Sequence, residues 1–197
     1  MNYQQFRNTI KDKKITIFSK DEIAPLFALK EEGLTSLLRR YTEKKYLQNP
    51  KRGVYYFTED PPHQYYLAYK MYNPSYISFE TALSEYGIIP EIVYSITSAT
   101  TKPTRDFSTQ RLGFVYTKIK DSAFTGFTKK NNYLIATPEK ALVDYMYHVS
   151  IGKKAPNDRL NISQLRKDII LKYTALFNHT LLNKRIWQLL KSLKNEQ

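Results

Sequence analysis

The chain has no cysteine among its 197 residues. That excludes disulfides, thiolate metal sites and cysteine nucleophiles together. Glycine is scarce too. Six residues leave little room for phosphate-cradling loops, and neither Gly-x-x-x-x-Gly-Lys-Ser/Thr nor Gly-x-Gly-x-x-Gly occurs. The histidines, His63, His148 and His179, stand far apart and lack metal-ligand spacing. No apolar run approaches the roughly 18 residues that suggest a membrane span, so no membrane partner is expected. The opening Met1-Asn2-Tyr3-Gln4-Gln5 carries no apolar signal region, which points to the cytoplasm. Acidic residues are the last shortage: 18 Asp and Glu face 31 Lys and Arg, a net charge of +13.

What is present is a chain able to fold. A hydrophobic fraction of 42% can build a core, in one large or two small domains. The positive charge is spread over both halves, +4 in residues 1–60 and +9 in the remainder, which suits a polyanion or an acidic protein. Seventeen tyrosines, several clustered between Tyr55 and Tyr76, are read mainly as amphipathic core.

The most informative stretch is Ser19 to Phe57. Residues 3–12 suit a supporting helix with Phe6 and Ile10 inward. Ser19-Lys20-Asp21-Glu22 has the Ser-x-x-Glu spacing of a capping box, which satisfies orphan donors at a helix start. Ile23, Leu26 and Phe27 then share one side, although Pro25 removes a backbone donor inside this short helix. In the next helix, about 31–45, Leu34, Leu37, Leu38 and Tyr41 recur at i, i+3, i+4, i+7 and face a core. Its other side carries Thr35, Ser36, Arg39, Arg40 and Glu43. Tyr46-Leu47 and Val54-Tyr55-Tyr56-Phe57 read as strands joined at Asn49-Pro50-Lys51-Arg52-Gly53. A two-helix unit followed by a basic-tipped hairpin is a winged helix-turn-helix, in which one helix fills the major groove and the wing grips phosphates. The expected DNA-binding residues are Thr35, Ser36, Arg39, Arg40, Lys44, Lys51 and Arg52.

Pro61-Pro62 closes the wing and marks a boundary, because neither residue can continue a strand ladder. The reading is therefore α+β: a winged helix-turn-helix over 1–60, a linker helix within 61–74, and a mixed α/β domain over 75–197 that ends in helices. A helix over Tyr76–Gly87 has Ser78 as cap, a stripe of Phe79, Ala82, Leu83 and Tyr86, and Gly87 as its stop. Strands are expected at Ile92 to Ala99, Leu112 to Ile119, Ala123 to Phe127 and Asn132 to Ala136, with Lys129-Lys130-Asn131-Asn132 as a turn. Thr100 to Ser108 reads as a polar loop. Thr137-Pro138 opens a helix, with Thr as cap and Pro at its first position. Helices at about 161–173 and 179–194 close the chain.

No catalytic constellation emerges, and no cofactor or enzyme activity is expected. Asp106 or Asp121 with Glu139 and Lys140 could form a nuclease-like set. However, Glu139 and Lys140 fit an exposed helix start, and Lys140 with Asp144 an i, i+4 pair. A nucleic-acid-processing enzyme delivered by its winged helix, and a winged-helix protein-interaction module, stay open as alternatives.

Several segments in order resemble the AbiEi-type antitoxins of bacterial type IV toxin–antitoxin systems. These are the wing Pro50-Lys51-Arg52-Gly53-Val54-Tyr55; the helix Tyr76-Ile77-Ser78-Phe79-Glu80-Thr81-Ala82-Leu83-Ser84-Glu85-Tyr86-Gly87; Ser95-Ile96-Thr97-Ser98-Ala99-Thr100-Thr101; and Ala136-Thr137-Pro138-Glu139-Lys140-Ala141-Leu142-Val143-Asp144. The likeness covers roughly residues 10–150. It implies a transcriptional repressor of its own operon that binds inverted repeats in duplex DNA. It also implies a second domain that counteracts a nucleotidyltransferase-like toxin, a role in phage defence. Lys102, Arg105 and Arg111 would stand where the family carries a basic loop, as further phosphate contacts. A monomer in solution is expected.

Overall fold

The computed structural model describes residues 1–109 and 111–192. Positions 193–194, expected to end the last helix, lie outside them. The chain divides into two compact units, Met1–Met71 and Tyr72–Gln197, and together they have an α+β architecture.

In the first unit, α1 (Tyr3–Asp12) begins with a capping box between Asn2 and Gln5 and buries Phe6 and Ile10. The expected box at Ser19 and Glu22 starts α2 (Lys20–Ile23). Pro25 does not disturb that helix. It lies in the following 3-10 turn, Ala24–Leu26, near a helix start where a missing N–H has no partner to lose. α3 (Glu31–Glu43) buries Leu34, Leu37, Leu38 and Tyr41, the expected stripe. The strands β1 (Leu47–Lys51) and β2 (Val54–Phe57) then pair antiparallel. The linking loop is shorter than expected, because β1 continues through a bulge at Asn49-Pro50. There the Asn49 amide donates to the Val54 carbonyl at 3.0 Å. The turn is left to Arg52 and Gly53, the latter at φ +83°, which a side chain would oppose. Phe18 exchanges backbone hydrogen bonds with Tyr55, at 3.0 and 2.8 Å, so the segment before α2 extends the hairpin. Phe6 stacks on Phe27 at 5.1 Å between centroids and meets Tyr41 at 5.2 Å, at the centre of the core these elements share.

α4 (Gln64–Met71) is the expected linker helix, yet it belongs to this unit. Lys70 pairs with Glu22 at 2.8 Å, and the Lys51 ammonium donates to the Met71 carbonyl at 2.5 Å. The compact unit therefore reaches Met71, eleven residues past the expected boundary at residue 60.

The second unit is built on a six-stranded mixed sheet of order β5-β6-β4-β3-β8-β7. Its strands are β3 (Ser75–Ile77), β4 (Ser95–Thr100), β5 (Arg105–Ser108), β6 (Gly113–Lys118), β7 (Phe127–Lys130) and β8 (Tyr133–Ala136). β4 runs parallel to β6, and β3 parallel to β8; the other neighbours are antiparallel. Several expectations shift here: the strand expected from Ile92 begins at Ser95, and the helix expected from about 161 begins at Lys167. α5 (Phe79–Glu85) follows Ser78 at its N-cap position, as expected, while Tyr76 and Ile77 before it lie in a central strand. The polar loop contains β5, an edge strand whose Arg-Asp-Phe-Ser sequence suits a solvent-facing border. The strand expected at Ala123–Phe127 starts instead at Phe127, which moves Lys129 and Lys130 out of the turn; Asn131, at φ +54°, makes it.

α6 (Pro138–Ser150), capped by Thr137, is buried nearly all round. Such a helix needs cover on several sides. It packs against α5 and β8, and also against α7 (Lys167–Ala175) and α8 (Thr180–Ser192). Among the described residues, no helix is long and apolar enough to cross a membrane.

Candidate nucleic-acid interface

The burial of one α3 stripe dictates the other face. Thr35, Ser36, Arg39 and Arg40 are all exposed, as is Lys44, the helix C-cap. Gly33, Ser36, Leu37, Arg39, Arg40 and Glu43 line a shallow open recess of about 340 Å³ along the helix. The Thr35 hydroxyl donates to the Glu31 carbonyl at 2.9 Å, so its oxygen keeps lone pairs to accept from a ligand. Arg39 lies 3.8 Å from Glu43, with side chains 77% and 68% exposed. An exposed pair of that length holds the guanidinium weakly. Arg40 sits 5.3 Å from the Tyr41 ring and reaches the Met1 carbonyl at 3.5 Å, which aims it toward the chain start.

Negative charge gathers at the start of α3. Glu31 pairs with Lys20 at 2.5 Å, and this hydrogen bond lowers the carboxyl pKa. Glu22 is held below its ordinary range as well: burial raises it, and hydrogen bonds from Lys70 and Ser19 outweigh that. These pairs fix α2 relative to α3 and α4.

The two wing cations divide. Arg52 is exposed at the hairpin tip. Lys51 is half-buried with its ammonium on the Met71 carbonyl, where it braces α4.

In the second unit, the expected phosphate contacts do not form one cluster of like environment. The Lys102 ammonium donates to the Asn73 carbonyl and lies 5.5 Å from the Tyr72 ring. Arg105 opens edge strand β5, exposed, opposite Tyr116. Arg111 is exposed beyond it, its backbone N–H donating to the Thr109 hydroxyl.

Sequence reasoning missed the cluster that dominates this unit's interior. Lys140, expected at an exposed helix start, and its i, i+4 partner Asp144 are 0% exposed and ion-paired. Tyr76 Oη and Ser78 Oγ each donate to Asp144 Oδ2 at 2.8 Å. The Lys140 ammonium also lies 5.6 Å from the Tyr76 ring and 5.0 Å from that of Phe177. Burial pushes the Asp144 carboxyl up against the pull of Lys140 and both hydroxyls, and pushes the Lys140 amine down. Sealed from solvent, this set fastens α6 to the β3–α5 junction. Beside it, Phe79 is held at φ +54°, a strained backbone for an aromatic residue, with its ring edge-on to His148 at 5.2 Å. His148 is 1% exposed, and neither ring nitrogen has a hydrogen-bond partner among the described residues. Burial, with Lys154 and Lys153 nearby, pushes its pKa down to about 4. The sequence signal for this cluster is the i, i+4 spacing of Lys140 and Asp144, which marks a pair but not the side of the helix it occupies.

No protein-family model matches the sequence, and no curated protein does.

Proposed function

We propose that this chain is a DNA-binding repressor of its own operon and an antitoxin of the AbiEi type, acting by binding rather than by catalysis. The observation that carries the DNA-binding reading is α3. A fully buried apolar stripe forces Thr35, Ser36, Arg39 and Arg40 outward, and a hairpin with an arginine at its tip follows directly. The Phe18–Tyr55 bridge lends further support, since it ties the hairpin to the helix pair as a winged helix requires. On this reading α3 enters the major groove, Arg39 reads a base edge, and Arg52 holds a phosphate. Glu43 lies next to Arg39 and restrains non-specific attraction. The antitoxin role and cytoplasmic location rest on the sequence resemblance, which assigns neutralisation of a nucleotidyltransferase-like toxin to the second unit.

Operator binding is proposed to use inverted half-sites, because one small reader rarely gives both affinity and selectivity at physiological salt. Titrating the chain against duplex DNA from upstream of its own gene, at several salt concentrations, tests the reading. Arg52→Ala should reduce the salt slope by about one unit and weaken all sequences alike. An unchanged slope would remove Arg52 from the interface. Expressing 1–71 and 72–197 separately beside the toxin tests the second role: rescue by the first piece alone would reverse it.

A further inference from the structure

α8 buries Leu182 and Ile186 completely, and the opposite side of the helix stays open. There Lys184, Trp187 and Lys191 follow one another at i, i+3 and i+7, one stripe of a helix. Trp187 is 59% exposed and Leu181, at the start of the same side, 43% exposed. The helix sequence, TLLNKRIWQLLKS, holds three cations and no acid. The Lys191 ammonium lies 4.8 Å from the Trp187 ring. An exposed tryptophan within a cationic rim is an unusual use of the most valuable apolar side chain for binding.

We propose that this stripe docks an acidic protein partner that offers an apolar pocket to Trp187 and carboxylates to Lys184 and Lys191. The charge pattern selects this occupant. A second copy would bring its own +13 charge and the same cationic stripe, which repel. A nucleic acid would use the Trp187 ring and the lysines but leave Leu181, exposed on the same side, unused. An acidic protein uses every group: the aromatic as a central anchor, Leu181 beside it, and the lysines as a polar rim that steers encounter. The surface lies in the second unit and is independent of the DNA-reading assignment.

Trp187 is the chain's single tryptophan, so its fluorescence reports on this site alone. The full chain is titrated with a helical peptide carrying leucines along one side and glutamates on both flanks. A saturable blue shift of the emission is expected. The exposed double variant Lys184→Glu/Lys191→Glu should bind at least about tenfold more weakly. With a labelled peptide followed by anisotropy, Trp187→Ala should weaken binding about thirtyfold. Emission unmoved by the peptide would overturn the proposal. So would an equal shift with oligothymidine, which would make this a nucleic-acid surface, or a shift on concentrating the protein alone, which would make it a self-association face.

Discussion

Removing Asp144 should unfold the second unit or bring it close to unfolding. In Asp144→Ala the Lys140 ammonium stays fully buried without a counter-charge, and the Tyr76 and Ser78 hydroxyls lose their acceptor. Breaking a buried pair from one side costs about 3–5 kcal/mol. Each orphaned hydroxyl adds about 1–3 kcal/mol. The sum reaches the roughly 5–15 kcal/mol that keeps a domain folded. Lys140→Met should be milder, about 2–3 kcal/mol, because Asp144 keeps both hydroxyl donors and burial lets it take up a proton in place of the lost partner. Lys140→Met/Asp144→Asn then replaces the ion pair by a methionine and a neutral amide whose oxygen still accepts from Tyr76 and Ser78. Its loss should fall short of the sum of the Lys140→Met and Asp144→Asn single losses by at least about 1.5 kcal/mol, the signature of contacting partners. The assay is urea unfolding at pH 7, with Trp187 fluorescence reporting the second unit and circular dichroism the whole chain. Single variants within about 0.5 kcal/mol of the parent, as for an exposed pair, would refute the reasoning. Strict additivity in the double variant would refute the coupling.

His148 should make stability depend on acid. Its folded pKa of about 4 lies below the ordinary 6.5, so as pH falls the unfolded state binds the proton first. Its contribution to stability should be complete above about 6.5, decline as pH falls to about 4 and then level, roughly 3 kcal/mol in all, and that part of the slope should be absent from His148→Leu; an unaltered slope would contradict the assignment. Gly126→Ala should destabilise the second unit by about 2 kcal/mol, since the residue sits at φ +76° and a Cβ would stand 2.7 Å from the Tyr173 ring. A melting temperature equal to the parent's would contradict that packing. Glu43→Gln should tighten duplex binding about threefold at low salt by removing negative charge beside Arg39; weaker binding in the same titration would mean that Glu43 positions Arg39 productively.

Much of the first unit was legible because its signals are local. The Ser19–Glu22 box, the Leu34–Tyr41 stripe and Gly53 at the turn are each defined within a few residues, and each lies where the pattern placed it. The exposed face of α3 followed from the same stripe. Pro25 looked disruptive because the pattern ran two short elements together; a change from α to 3-10 geometry accommodates it. The second unit hid more. β3 is three residues long and owes its place to β4 and to Ile135 of β8, nearly sixty residues away, so its alternation could not be told from the helix that follows. β5 carries a single apolar residue and is a strand through pairing to β6. Lys51 and Lys102 read as phosphate cations by type, yet each ammonium meets a backbone carbonyl that sequence spacing does not reveal. Lys140 fits an exposed helix start for the same reason: the hydroxyls that complete the site of its partner Asp144 come from 66 and 68 residues away.

The proposed reading of duplex DNA by α3 turns on one exposed side chain, Arg39. Its most direct test is a fluorescence-anisotropy titration of the upstream region of the protein's own gene, with the full chain and its Arg39→Ala variant, beside a scrambled duplex of equal length at the same salt. Arg39→Ala should weaken binding to the upstream duplex by about 1–3 kcal/mol and leave the scrambled duplex nearly unaffected. Equal binding of both duplexes by the parent chain, or an Arg39→Ala variant that still discriminates between them as the parent does, would contradict that reading.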